Sequence, residues 1–120
     1  MIPYISIVGY SNSGKTTIVS KLVQIMTERG YKVAVVKHAA HGYTMDVPGK
    51  DSYQHFQAGA EQVVIAGPDS LTLHKRFDHA PDLIETLEYI DCVDFILIEG
   101  YKNQPGPKIE IIGPRQDRPE

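Results

Sequence analysis

The segment from Gly9 to Thr17, with the sequence GYSNSGKTT, constrains the fold more than any other part of the chain. It fits the pattern G-x-x-x-x-G-K-[ST] of a phosphate-binding loop. The apolar, β-branched run at residues 4–8 predicts a buried strand before the loop, and apolar residues at helical spacing predict a helix after it, capped at Gly30. A chance glycine turn is the alternative, but four fixed positions with both flanks in place favour a loop that binds a nucleotide.

The residue types in this loop suit phosphate chemistry. Glycines let successive backbone N–H groups turn toward an anion, and the N-terminus of the following helix adds roughly half a positive charge. Lys15 can reach the β- and γ-phosphates, and the hydroxyl of Thr16 can ligate Mg²⁺. The predicted nucleotide-binding residues of this segment are Gly9, Ser11, Asn12, Ser13, Gly14, Lys15, Thr16 and Thr17.

Length and composition restrict the class of protein. The chain has 120 residues, which predicts one domain over residues 1–112 and a polar tail over residues 113–120. A net charge of −3 gives no electrostatic reason to expect binding to nucleic acid or to an anionic membrane. No apolar run approaches the roughly 18 residues of a membrane span, and the N-terminus lacks the layout of a signal peptide. Since a single cysteine, Cys92, cannot form an internal disulfide, we expect a cytoplasmic protein.

Strands and helices alternate along the chain, which predicts a P-loop NTPase-like α/β fold with three layers and a mainly parallel sheet. After the first helix, a second buried strand is expected at residues 32–37, and further strands are expected at residues 62–66, 95–98 and 108–112, of which the segments 62–66 and 95–98 are apolar. The alternating segment 71–76 predicts a strand with one exposed face, for which antiparallel pairing is an option. Short helices are expected from Asp51 to about Ala58 and from Pro81 onward, the second with an apolar face formed by Leu83, Ile84, Leu87 and Ile90.

Glu99 is the second strong functional signal, because it directly follows the most apolar strand in the chain. A carboxylate at the carboxyl end of a buried strand lies where open α/β sheets bind ligands, beside the phosphate loop. There it can hold Mg²⁺ through water or orient an attacking water. A solvated acid at a strand end is the alternative, and the phosphate loop favours the functional interpretation. Asp94 begins the same strand at the opposite edge of the sheet and is expected to be structural.

Histidines follow the second strand, at the same predicted edge. The spacing of His38 and His41 allows a metal pair, but no third ligand is evident, and closed zinc sites take four. Contact with phosphate or with a second ligand is favoured over metal binding, with Lys37 as the charged partner of His38. Histidines that only satisfy backbone groups of the loop are the remaining alternative.

A polar cluster surrounds Pro48-Gly49, and it consists of Asp46, Lys50, Asp51 and Ser52. In P-loop switch proteins this region carries a Mg²⁺-linked acid or hydroxyl. A solvated turn with a helix cap explains the cluster equally well. We therefore keep Asp46 as a candidate metal ligand, with Thr16 and Glu99, and the other three as candidate ligand-binding residues.

Six motifs, taken in chain order, resemble the family of molybdopterin-guanine dinucleotide biosynthesis protein B (MobB), namely GYSNSGKTT, VVKHxxH, PGKDSY, AGAEQ, ILIEGYK and PKIE. The resemblance covers about residues 5–111. It implies a homodimeric GTP-binding protein that assists the MobA-type guanylyltransferase in attaching GMP to molybdopterin. By position, Gly9, Gly14, Lys15, Thr16 and Thr17 match the family's phosphate loop, Asp46, Lys50, Asp51 and Ser52 its second motif, and Glu99 its Walker-B-like acid.

The predicted function is therefore GTP and Mg²⁺ binding in support of molybdenum cofactor biosynthesis, with weak hydrolysis of GTP. Two alternatives remain open, a small-molecule P-loop kinase and a nucleotide-gated carrier for another metal centre. No arginine-rich lid is evident, which weakens the kinase alternative, since kinases need positive charge around the transferred phosphoryl group. No Asn-Lys-x-Asp motif is present, so the motifs alone do not separate guanine from adenine.

Overall fold

A computed structural model of the chain describes residues 2–9, 14–39, 51–101 and 106–110, with only the backbone described at residues 51–53. The elements in these ranges are β1 (Tyr4–Val8), α1 (Lys15–Glu28), β2 (Val33–Lys37), α2 (Asp51–Gln57), β3 (Gln62–Ala66), β4 (Leu71–Lys75), α3 (Leu83–Leu87), β5 (Phe95–Glu99) and β6 (Lys108–Glu110). The chain divides into two compact units, residues 1–38 with 82–120, here called the sheet unit, and residues 39–81, here called the hairpin unit.

The sheet unit contains a four-stranded, fully parallel sheet with the strand order β2-β5-β1-β6. The order places β5 between β1 and β2, so it has a hydrogen-bonded neighbour on each side. Ile96, Leu97 and Ile98 of β5 are each 2% exposed or less. The most apolar strand of the sequence is therefore the buried centre of the sheet.

Helices cover both faces of this sheet. Successive strand residues point to opposite faces, so β5 contributes side chains to two apolar layers. On one face, Ile7 and Leu97 pack with Val19 of α1. On the other face, Ile96 and Ile98 pack with Leu83 of α3. The predicted three-layer α/β/α architecture with a mainly parallel sheet is confirmed.

The second helical layer is shorter than predicted. α3 ends at Leu87, so Ile90 packs against the apolar cluster from beyond the helix. Ile84 is 52% exposed, and its assignment to the same face as Leu83 was wrong, because it directly follows Leu83 and points about 100° away from it around the helix. Pro81 also lies outside the helix, since Asp82 occupies the N-cap and forms a capping box with Glu85.

The C-terminus of α1 ends as the sequence predicts. The amide of Gly30 donates to the Thr27 carbonyl at 3.0 Å, and the amide of Tyr31 donates to the Met26 carbonyl at 3.1 Å. These two bonds form a Schellman motif, which satisfies the last carbonyl groups of the helix. None of the helices in the described ranges has the length and apolarity needed to cross a lipid bilayer.

The hairpin unit pairs β3 with β4 in antiparallel register, which confirms the antiparallel option for residues 71–76. The apolar strand expected at residues 62–66 is present as β3, and both strands of the hairpin are largely exposed, with Val64 at 53% and Leu71 at 66%. Arg76, directly after β4, links the hairpin to α2. Its guanidinium lies 3.9 Å from the centre of the Phe56 ring and donates to the Phe56 carbonyl.

Candidate nucleotide-binding site

The carboxyl ends of three parallel strands meet at one edge of the sheet unit. Glu99, the last residue of β5, is in register with Ile7 of β1 and with Lys37 of β2. The predicted loop leaves β1 at this edge, and α1 begins beside it. The parallel pairing thus brings the acid at position 99 to the start of α1, 83 residues earlier in the chain.

The carboxylate of Glu99 is the centre of the site. Its Oε1 atom accepts a hydrogen bond from the hydroxyl of Thr16 at 2.8 Å and lies 3.8 Å from the Lys37 ammonium. Glu99 is only 8% exposed, and buried carboxylates are stable only when they are paired. The Lys37 side chain is 67% exposed, so solvent screens its attraction and the Thr16 hydroxyl is the stronger of the two partners.

The N-terminus of α1 has the features expected of a phosphate-binding helix. Gly14 is the N-cap residue with φ 95°, in the left-handed region where a side chain would be strained. No side-chain hydrogen bond caps α1, and its first turn contains no acidic residue. The ammonium of Lys15 donates to the carbonyl of Gly9 at 2.9 Å, so it reaches back across the loop. Positive charge and helix N–H groups therefore converge where an anion is favoured.

His38 lies on the other face of the sheet from Thr16. Its ring stacks on Tyr101, with the ring centroids 4.1 Å apart and the planes inclined by 15°. Tyr101 packs against the apolar cluster beside α3, whereas Thr16 belongs to α1. Tyr101 is not among the predicted site residues, and the signal that could have identified it is the glycine that separates it from Glu99.

The structure does not describe every predicted site residue. Ser11, Asn12, Ser13, His41, Asp46 and Lys50 lie outside the described residues. Asp51 and Ser52 begin α2 in the hairpin unit, where only their backbone is described. Thr17 is an exposed residue in the first turn of α1. Within the described ranges, no group of three or more His, Cys, Asp or Glu residues is arranged to hold a metal ion.

Asp94 lies at the opposite end of β5 from Glu99. Its carboxylate accepts a hydrogen bond from the backbone N–H of Lys32 at 2.7 Å, which fixes the chain as it enters β2. This contact is the structural role expected of Asp94. Asp94, which precedes β5, and Glu99, which ends it, thus lie at opposite edges of the sheet.

The parallel sheet, with a glycine-led helix after β1 and an acid at the end of β5, defines a P-loop NTPase-like α/β protein. The chain belongs to the MobB family, since the sequence model of "Molybdopterin guanine dinucleotide synthesis protein B" matches residues 4–120. The resemblance identified from the motifs is thereby confirmed.

Curated relatives and a solved structure agree with this assignment. The chain is 36% identical over 110 residues to the molybdopterin-guanine dinucleotide biosynthesis adapter protein of Haemophilus influenzae, covering 90% of this chain and 62% of the relative. It is 34% identical over 115 residues to the Escherichia coli adapter protein, covering 92% of this chain and 66% of the relative. The crystal structure of Bacillus subtilis MobB superimposes with a TM-score of 0.76 at 34% identity, covering 97% of this chain and 71% of that one. The chain therefore spans a little under two thirds of the length of these two curated relatives.

Proposed function

We propose that this chain binds GTP together with Mg²⁺ at the edge formed by Lys15, Thr16 and Glu99, and acts as an adapter in molybdopterin guanine dinucleotide biosynthesis. The observation that carries the proposal is the 2.8 Å pairing of the Thr16 hydroxyl with a nearly buried carboxylate at the start of a glycine-led helix. Two relatives that are 34% and 36% identical carry the adapter name, which supports the pathway.

The donor set fits Mg²⁺. A hydroxyl oxygen and a carboxylate oxygen are the hard ligands that Mg²⁺ prefers. Neighbouring ligands in an octahedron with bonds of about 2.0–2.1 Å are about 2.9 Å apart, close to the 2.8 Å between Thr16 Oγ1 and Glu99 Oε1. When bound, the ion would neutralise charge on the β- and γ-phosphates. Thr16 and Glu99 are the described residues that would hold it, with Asp46 as the remaining candidate.

The lysines supply the positive charge for phosphate. Lys15 already directs its ammonium at a carbonyl oxygen of the loop, and a phosphate oxygen is a stronger, charged acceptor for the same group. Lys37 is largely exposed beside Glu99, so it can turn toward a ligand at little cost in packing. We infer that Lys15 contacts the nucleotide and that Lys37 faces the second ligand or the partner protein.

We infer that the partner is the guanylyltransferase that attaches GMP to molybdopterin, and that the adapter is a cytoplasmic homodimer. The adapter names of the relatives and the family resemblance support this inference. The test is the rate of GMP transfer to molybdopterin by a MobA-type enzyme, with and without this chain. Acceleration that requires GTP-loaded chain is expected, and an unchanged rate would contradict the adapter role.

Nucleotide binding is tested by calorimetric titration of GTP and ATP side by side, with and without Mg²⁺. We expect GTP to bind more tightly than ATP, and Mg²⁺ to strengthen binding. Lys15→Ala should abolish binding and leave the melting temperature nearly unchanged, because surface changes usually cost less than about 0.5 kcal/mol. Lys21→Ala, at an exposed position on the same helix, is the matched control and should bind normally.

Two results would overturn the assignment of the nucleotide site. One is equal affinity for both nucleotides, which removes the guanine assignment. The other is unchanged affinity in Lys15→Ala, which removes the phosphate-loop assignment itself. Stoichiometric consumption of a phosphoryl acceptor together with the nucleotide would instead establish the kinase alternative.

A further inference from the structure

The backbone turns sharply directly after Glu99. Gly100 has φ 112° and Tyr101 has φ 61°, so two consecutive residues lie in the left-handed region. Glycine adopts this region freely, whereas a tyrosine there is strained. Such strain persists only where the surrounding contacts impose it, and it is concentrated at functional sites. The contacts around Tyr101 therefore show what imposes it.

Two contacts hold the Tyr101 side chain in place. Its ring stacks on His38 at 4.1 Å, and its hydroxyl lies 3.3 Å from the hydroxyl of Thr86 in α3. The Thr86 hydroxyl donates to the Asp82 carbonyl at 2.8 Å, so it accepts from the Tyr101 hydroxyl, and the bond to Asp82 fixes the Thr86 side chain. The ring is thus held between the end of β2 and Thr86, near the end of α3.

The same turn is packed closely against His38. A Cβ atom on Gly100 would lie 3.0 Å from the Cβ of His38, so only glycine fits between the two chains at this point. The amide of His38 donates to the Glu99 carbonyl at 2.9 Å, and the amide of Gly100 donates to the Ile7 carbonyl at 3.0 Å. These two bonds tie the backbone of Glu99 and Gly100 to the two neighbouring strands.

Strain alone does not identify a functional residue in this chain. Cys92 also has a positive φ, 58°, and it lies exposed after α3. What distinguishes Tyr101 is that it follows the buried acid by two residues and that its ring is held by His38. The backbone conformation, the stack and the two flanking hydrogen bonds therefore act on the same short segment, which carries Glu99.

We infer that His38 and Tyr101 are positioning residues, which hold the end of β5 so that the Glu99 carboxylate stays within reach of Thr16. The inference rests on the proposed Mg²⁺–GTP site for its functional part. The stack lies on the α3 face of the sheet, and the carboxylate reaches toward α1. Loss of the stack lets the turn relax toward ordinary backbone angles, and the carboxylate then leaves the geometry that suits Mg²⁺.

The first experiment measures this restraint without any ligand. In Tyr101→Leu, the amides of His38 and Gly100 should exchange with deuterium at least about fivefold faster than in the wild type, measured by NMR, because the segment they tie down opens more often. The amide of Ile96, which donates to Pro3 at the other end of β5, should keep its exchange rate. Tyr31→Leu makes the same chemical change at an exposed tyrosine after α1 and should leave all three rates unchanged.

The second experiment measures the Mg²⁺ dependence of GTP binding. The ratio of GTP affinities with and without Mg²⁺ should fall about tenfold in Tyr101→Leu, with little change in the Mg²⁺-free affinity, because the residue acts through the metal-binding carboxylate. Tyr101→Phe keeps the stacked ring and should retain most of the wild-type ratio. Adding Tyr101→Leu to Glu99→Gln should cause no further loss, since groups that act through one another are not additive.

The outcomes separate this inference from the proposed function. If the wild type shows Mg²⁺-dependent GTP binding and Tyr101→Leu keeps both the ratio and the exchange rates, the positioning role is wrong and the site stands. If Tyr101→Leu speeds exchange but keeps the ratio, the stack only supports the fold and the inference is overturned. If the wild type does not bind GTP, the proposed function fails, and the functional part of the inference fails with it.

Discussion

Replacing Glu99 by glutamine separates the charge of this side chain from its shape. An amide oxygen can still accept the hydroxyl of Thr16, but a hydrogen bond to a charged acceptor is worth about 1.5–3 kcal/mol and one to a neutral acceptor about 0.5–1.5 kcal/mol. The weaker hydrogen bond therefore costs about 1 kcal/mol. This cost is offset because the variant no longer buries a charge at a residue that is only 8% exposed. Lys37 adds little, since it is largely exposed. We therefore expect the free energy of unfolding to change by less than about 1 kcal/mol.

Asp94→Asn is the matched control, because it makes the same chemical change at the other end of β5. Asp94 is exposed, so relief from burial does not compensate for the weaker hydrogen bond to the Lys32 amide. We expect a loss of about 1 kcal/mol, which corresponds to about 4 °C in melting temperature for a chain of this size. The control should therefore be at least as destabilised as Glu99→Gln.

The assay combines urea unfolding with GTP titrations over a series of Mg²⁺ concentrations. Glu99→Gln should lose most of the strengthening by Mg²⁺ while it remains folded. Asp94→Asn should keep the wild-type Mg²⁺ response despite its lower stability. An equal Mg²⁺ response in the two variants would refute the assignment of the site to the carboxyl edge of the sheet.

Three further outcomes are expected. The isolated chain should hydrolyse GTP at a rate well below about 1 s⁻¹ in single-turnover assays. The reason is that Arg29, the arginine described in the sheet unit, lies at the far end of α1, about 20 Å from its start, too far to neutralise charge on the γ-phosphate. A faster rate would show that the chain is an efficient enzyme alone. Asp82→Ala should lower the free energy of unfolding by about 1 kcal/mol through loss of the α3 capping box, and an unchanged urea midpoint would contradict that role. The hydrogen bond from His79 holds the pKa of Asp78 below its ordinary value, so the stabilising contribution of this pair is present above the unfolded pKa and is lost as the pH falls through the folded pKa. In an NMR titration, His79→Gln should raise the pKa of Asp78, and an unchanged pKa would exclude His79 as the cause.

Local patterns in the sequence predicted the elements that border the site. β-branched runs predicted β1 and β5, and apolar spacing with a final glycine predicted α1, because these patterns depend on neighbours within one element. The polarity of a parallel strand also separated Glu99 from Asp94, since only one end of each strand meets the ligand-binding edge. This part of the site follows from residue order alone.

Pairing between distant segments was not predictable in the same way. Nothing in the sequence states that β5 lies between β1 and β2, and that order decides which side chains can meet Glu99. The exposure of Ile84 also depends on which face of α3 packs on the sheet, and a helical spacing pattern alone does not fix that face. The Tyr101 stack was missed for a related reason, because it requires the ends of β2 and β5 to be adjacent.

The sheet edge combines two features that are unfavourable for folding. One is a carboxylate at 8% exposure, and the other is a tyrosine with a positive φ only two residues later. Most proteins avoid a buried charge and a non-glycine residue with a positive φ. Where a protein retains such unfavourable features, they are found mainly at functional sites. An acid with a purely structural role costs less free energy when it is exposed, as Asp94 is at the other edge of the sheet. Buried charge and backbone strain thus coincide at Glu99–Tyr101, beside the start of α1, and this coincidence supports the ligand site that we propose there.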